Sequence, residues 1–130
     1  MKSYFIFLFV FFTMSVFSQG YYEYADGNNN VYTISETSIK YTPIKKQESS
    51  SGIYSGGDPK EKDISNEVYK KLEKLFESAF SAKKEQRTDR VMQSSLLIHY
   101  VSKIMSRKII LKPNSACKSK IESELNAILK

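Results

Sequence analysis

Between Ser65 and Phe80, the apolar residues Val68, Leu72, Leu75, Phe76, Ala79 and Phe80 recur at helical spacing, and Lys70, Lys71, Glu73, Lys74 and Glu77 fill much of the remainder. A helix patterned in this way carries one apolar face and needs a second layer to bury it. Ser65 is placed as an N-cap whose hydroxyl accepts from a first-turn amide, and Ile64 and Tyr69 are spaced to pack as a hydrophobic staple. The helix is expected to fray around Lys83 to Arg87. A second stripe, formed by Cys117, Ile121, Leu125, Ile128 and Leu129, predicts a final helix capped by Asn114 or Ser115 just after Pro113.

The layer these helices need is supplied by short β segments. YYEYA, VYTIS and SIKYTPI are rich in tyrosine and β-branched residues. Asp26-Gly27-Asn28-Asn29-Asn30 tolerates positive φ and reads as a hairpin loop. If Ser35 to Ser38 form the next turn, Ile34 faces Ile39 and Tyr32 faces Tyr41 on one side, with Thr33 and Lys40 on the other. Further on, residues 91–100 read as a strand with Met92, Leu96, Ile98 and Tyr100 on one side and Gln93, Ser95 and His99 on the other. Leu97, Val101, Ile104 and Met105 also fit a helix, and periodicity alone does not separate the two. A second strand is expected at 107–112, joined by a turn near Ser102–Ser106. The order βββ-α-ββ-α predicts an α+β domain: an antiparallel sheet of about five strands covered on one face by two helices.

The start of the chain reads as an address. Lys2 precedes an apolar run from Tyr4 to Phe12, and Thr13, Ser15 and Ser18 follow, which is the layout of a secretory signal peptide. Val16 and Ser18 occupy the −3 and −1 positions of a cut after Ser18. The run is shorter than the ~20 apolar residues of a spanning helix. Residues 1–18 are therefore expected to be removed on export to a secreted or periplasmic location, leaving 19–130 as a single domain with no transmembrane span. Cys117 is the one cysteine, so no intrachain disulfide can form and stability must come from apolar packing. Serine, glycine and charge dominate residues 45–62, which predicts a flexible loop with Ile53 and Tyr54 as an apolar anchor near its middle.

Chemistry-bearing patterns are sparse. A lone histidine, His99, gives no cluster for zinc. Gly52, Gly56 and Gly57 lack the Lys-Ser/Thr that completes a phosphate cradle, and no cofactor or metal site is expected. Glu73 with Glu77, and Glu122 with Glu124, read as solvated helix faces. Cys117 at a helix start near Lys112 and Lys118, with His99 as base, would make a small thiol-dependent enzyme. Against that, Cys117 shares the register of a buried stripe, where free cysteines commonly reside. Charge is uneven: residues 19–70 hold six Lys/Arg against eight Asp/Glu, and residues 71–130 hold thirteen against six. Lys83, Lys84, Arg87, Arg90, Arg107 and Lys108 are the candidates for binding a polyanion or anionic surface. They are not interleaved with aromatics, which disfavours nucleic acid.

Tyrosine is in surplus. In the first strand one face carries Tyr22 and Tyr24 and the other Tyr21, and tyrosine left on an open sheet suits contact with proteins or sugars. These features together lead to the expectation of a small exported, non-enzymatic binding or inhibitor-like module that engages a protein or cell-envelope component. Its expected contacts are Tyr22, Tyr24, Ile53 and Tyr54. The polyanion binder and the Cys117–His99 enzyme are the alternatives.

Overall fold

The computed structural model describes residues 20–130, and the leader expected at 1–18 lies outside them. Strands β1 (Tyr21–Ala25), β2 (Val31–Ile34) and β3 (Ser38–Thr42) form a meander, followed by β4 (Lys60–Asp63) and helix α1 (Asn66–Ser81). The two-residue β5 (Gln86–Arg87), β6 (Ser95–Val101), β7 (Ile104–Leu111) and helix α2 (Ala116–Leu129) complete the order. All pairings are antiparallel, in a seven-stranded sheet ordered β4-β3-β2-β1-β6-β7-β5. The α+β class is as expected. The two additional strands, β4 and β5, lie at the sheet edges.

Register explains which face is covered. Across the sheet, Ile39, Ile34, Tyr22, His99 and Arg107 form one row, and Tyr41, Tyr32, Tyr24, Leu97 and Ile109 form the next. The pairing of Ile34 with Ile39 and of Tyr32 with Tyr41 follows from the Ser35–Ser38 turn, where the Ser35 amide donates to the Ser38 carbonyl at 2.9 Å. Both helices lie over these rows. Leu72, Phe76 and Ala79 of α1 and Ile121 and Leu125 of α2 are fully buried against them, and the Phe76 ring packs tilted on Tyr22 with centroids 4.7 Å apart. Each large side chain removed from water in this way contributes about 1.5–3 kcal/mol. Ser65 and Ser115 cap the helices by accepting from Val68 N and Lys118 N. Ile64, just before the cap, packs against the core cluster to which Tyr69 belongs.

Four local expectations are corrected. The stretch 45–62 is not an open loop throughout, because Lys60–Asp63 pairs with β3 and Lys46–Glu48 forms a 3-10 turn. Lys60, Glu61, Lys62 and Asp63 have no apolar alternation to announce a strand; backbone pairing makes it, and Lys62 Nζ ties it to the Ile128 carbonyl of α2 at 2.9 Å. The chain after α1 does not simply fray. Gln86 pairs with Leu111, and its side-chain amide donates to the Ala79 and Phe80 carbonyls, closing the end of α1. Strand β6 starts at Ser95 instead of residue 91, and β7 starts at Ile104 instead of 107. The turn is only Ser102–Lys103, with φ of 51° and 66°, so neither glycine nor asparagine marks it. Finally, Ser95, Leu97 and His99 face the helices, and Leu96, Ile98 and Tyr100 face away. His99 is therefore on the covered face, not the polar one. Among the described residues no helix is long and apolar enough to cross a membrane.

Candidate functional site

A groove forms where the 43–59 segment folds back over the ends of β2 and β3 and meets α2. Asn30 is its hub. This buried side chain accepts from the Ile44 amide at 2.9 Å and donates to the Asp26 carboxylate at 3.1 Å and the Tyr54 hydroxyl at 3.0 Å. Asp26 in turn accepts from the Asn28 and Asn30 amides, as the Asp-Gly-Asn-Asn-Asn loop chemistry requires. On the far side of Asn30, the Tyr41 hydroxyl donates to the Gly56 carbonyl at 2.8 Å and the Gly56 amide to the Ile44 carbonyl at 3.1 Å. Gly56 must be glycine here, since an added Cβ would lie 2.1 Å from Asn30 Oδ1 and 2.8 Å from Pro43 Cβ.

Helix α2 supplies the other wall. Glu122 accepts from the Tyr24 hydroxyl at 3.0 Å and from Lys118 Nζ at 3.2 Å, and Asn126 Oδ1 accepts from the Tyr32 hydroxyl at 3.5 Å. Between the walls lies a crevice of about 330 Å³ lined by Asp26, Asn28, Asn30, Tyr32, Tyr41, Tyr54, Gln93, Lys118, Glu122 and Asn126 together with Gly27. It adjoins two neighbours, with which it shares lining residues. One, of about 440 Å³, shares Tyr32, Tyr41 and Asn126, and the other, of about 800 Å³, shares Asn28, Tyr54 and Gln93. Burial pushes the Tyr24, Tyr32 and Tyr41 hydroxyls above their ordinary value, so they stay protonated donors at neutral pH.

No protein family, curated protein or solved structure matches the chain. Function must therefore be argued from these side chains.

The candidate residues scatter. Tyr22 and Tyr24 are 2% and 0% exposed, so their rings offer nothing to a partner; their face is the one the helices cover. The rings on the other face are Tyr21 and Tyr100, stacked at 4.7 Å, with the Tyr100 hydroxyl donating to Glu23 at 3.1 Å. Sequence alternation separates Tyr21 from its neighbours but does not say which side is covered. Tyr54 lines the groove, and Ile53 beside it is 78% exposed. The groove residues that sequence reasoning missed, Asn30, Glu122 and Asn126, are distant in sequence and carry no motif.

The six cations are not on one face: register puts Arg107 on the covered face of β7 and Lys108 on the uncovered one. Arg90 braces the groove rim by donating to Asn29 Oδ1 at 2.8 Å and the Ser94 carbonyl at 3.0 Å. Arg107 pairs with Glu77 through both guanidinium nitrogens, one at 2.9 Å, and lies 4.1 Å over the Phe80 ring. Lys83 and Lys84 sit on the turn after α1, Arg87 on β5 near Asp89 at 3.9 Å, and Lys108 on the uncovered face of β7. Among the described residues no group of three or more His, Cys, Asp or Glu side chains could hold a metal ion.

Cys117 and His99 have separate surroundings. Glu85 accepts from Cys117 N at 3.0 Å, from the Cys117 thiol at 3.2 Å and from the Ser115 hydroxyl at 2.8 Å. These bonds at the start of α2 hold the Glu85 carboxyl down at about 2. Burial and the Glu85 carboxylate raise the thiol above its ordinary value, opposite to what a thiolate nucleophile needs. Native Cys117 is expected to react with a thiol reagent at least about tenfold more slowly than in the unfolded chain, and Glu85→Gln to accelerate it. Equal rates in the native and unfolded states would refute this.

His99 instead stacks on Tyr22 at 4.4 Å and accepts at Nδ1 from Arg107 at 2.9 Å. Tyr22 donates to Glu77 at 3.0 Å, which closes a ring of four side chains. Burial first, and Arg107 second, depress the His99 pKa below 6.5. A depressed histidine contributes stability that is present above pH 6.5 and is lost as pH falls through the folded value. Denaturant unfolding between pH 7 and 5 is expected to show this decline, and His99→Gln to flatten it.

Proposed function

We propose that this chain is an exported, non-enzymatic binding module that engages a cell-envelope component or another protein through the groove between the 43–59 segment and α2. What supports this reading is the bonding within the groove. Hydroxyls, carboxamides and carboxylates are fixed by one another, through Asn30 to Asp26 and Tyr54 and through Glu122 to Tyr24 and Lys118. Recognition benefits from polar groups held in place before the ligand arrives. The leader pattern at 1–18 supports export.

Two measurements test the reading. Mass spectrometry of the exported product is expected to show an N-terminus at Gln19, and an intact Met1 would overturn export. Retention by isolated envelope material is expected to fall about tenfold, or ~1.4 kcal/mol, in a Tyr54→Ala, Asn126→Ala double variant and to persist in Lys108→Ala on the opposite sheet face. Retention insensitive to the groove variant would sink the assignment.

A further inference from the structure

Resting on the groove as the binding surface, we infer that its ligand is a neutral polyhydroxylated chain, an oligosaccharide whose successive units occupy the three adjoining cavities. The central crevice has no aliphatic side chain in its lining, so it offers no seat for the apolar anchors of a peptide; the aliphatic side chains of the groove, Ile44, Val91, Met92 and Leu129, line only the two flanking cavities. It is poor for an ion as well. Lys118 is already paired with Glu122, and Asp26 is taken up by the Asn28 and Asn30 amides and the Asn30 side chain. What remains is hydrogen-bonding capacity of both kinds. The Tyr54 oxygen accepts from Asn30 and keeps its proton to donate. Asn126 accepts at Oδ1 and keeps both Nδ2 protons, and each Glu122 oxygen accepts one bond and retains a lone pair. A sugar hydroxyl is at once donor and acceptor, which suits such a set.

The rings complete the match. Tyr54 is 37% exposed at the junction of the 330 and 800 Å³ cavities, where its face can meet the C–H face of a sugar ring. Tyr41, half-buried, stands at the junction with the 440 Å³ cavity, its ring packed on the buried Tyr32 with centroids 4.9 Å apart. A linear chain would thus meet tyrosine at each passage between cavities.

The test is titration of the isotope-labelled exported protein with oligomers of N-acetylglucosamine, cellulose-type and starch-type glucans of one to six units, followed by amide chemical shifts. At least one series is expected to perturb Asn28, Asn30, Tyr54, Gln93 and Asn126, with the tetramer binding about tenfold or more tighter than the monomer. Tyr54→Ala and Asn126→Ala should each weaken that binding about tenfold, and Asn126→Ala should do so while leaving the unfolding temperature within a few degrees. If no saccharide moves the groove at millimolar concentration, the ligand class is wrong. Perturbation of the groove by an extended peptide or by heparin, where no saccharide acts, would leave the groove reading standing and remove the glycan. Saccharide shifts confined to Tyr21, Tyr100 and Ile98 on the uncovered face would remove both.

Discussion

Phe76→Ala is expected to lower the unfolding free energy by about 3–5 kcal/mol, read as an earlier midpoint in urea with an unchanged slope. The side chain is fully buried under Tyr22 at the point where α1 meets the central strand β1. Its truncation removes the transfer free energy of the ring and leaves a void between two layers that rigid strands cannot close. Domains of this size are stable by only about 5–15 kcal/mol, so the variant should sit near the edge of folding at 37 °C. A loss below about 1 kcal/mol would mean that α1 is not packed as described.

Asn30→Ala should be the most damaging polar substitution. It orphans the Ile44 amide, removes a donor from Asp26 and releases Tyr54. Leaving such buried groups unmatched costs about 1–3 kcal/mol. The loss should be local as well as global: hydrogen exchange at Gly56 N, bonded to the Ile44 carbonyl, is expected to accelerate far more than exchange within β6 or β7. Uniform acceleration across the sheet would show that Asn30 supports the whole fold and not the groove wall in particular.

The helices were legible in the sequence because an apolar stripe with a serine cap is a local signal, and both Ser65 and Ser115 cap as expected. The β2–β3 hairpin was legible because turn length and alternation agreed. Strands β4 and β5 were not, since Lys60–Asp63 and Gln86–Arg87 have no apolar face and are strands only because β3 and β7 present open backbone to them. The covered face of β6 was misread for a related reason. Leu96 and Ile98 outnumber Leu97 as greasy residues, but register against Tyr22 and Tyr24 places His99 and Leu97 under the helices. Only long-range pairing decides which side is inside. The groove was the least legible part. Tyr54 stood out as an aromatic in a polar stretch, whereas Asn30, Glu122 and Asn126 acquire their meaning from a loop and a helix nearly a hundred residues apart.

Ser102 and Lys103 bear on what holds the β6–β7 ribbon in register. Both are held at positive φ without the residues that enter that region freely, so this corner has no preference of its own for reversing the chain. The register of the ribbon is therefore carried by its pairs, from Ser95 with Leu111 to Val101 with Ile104, and not by the corner. Placing Asn-Gly at 102–103 would turn a passive corner into a nucleation point, quickening folding while leaving the groove at the other end of β6 untouched.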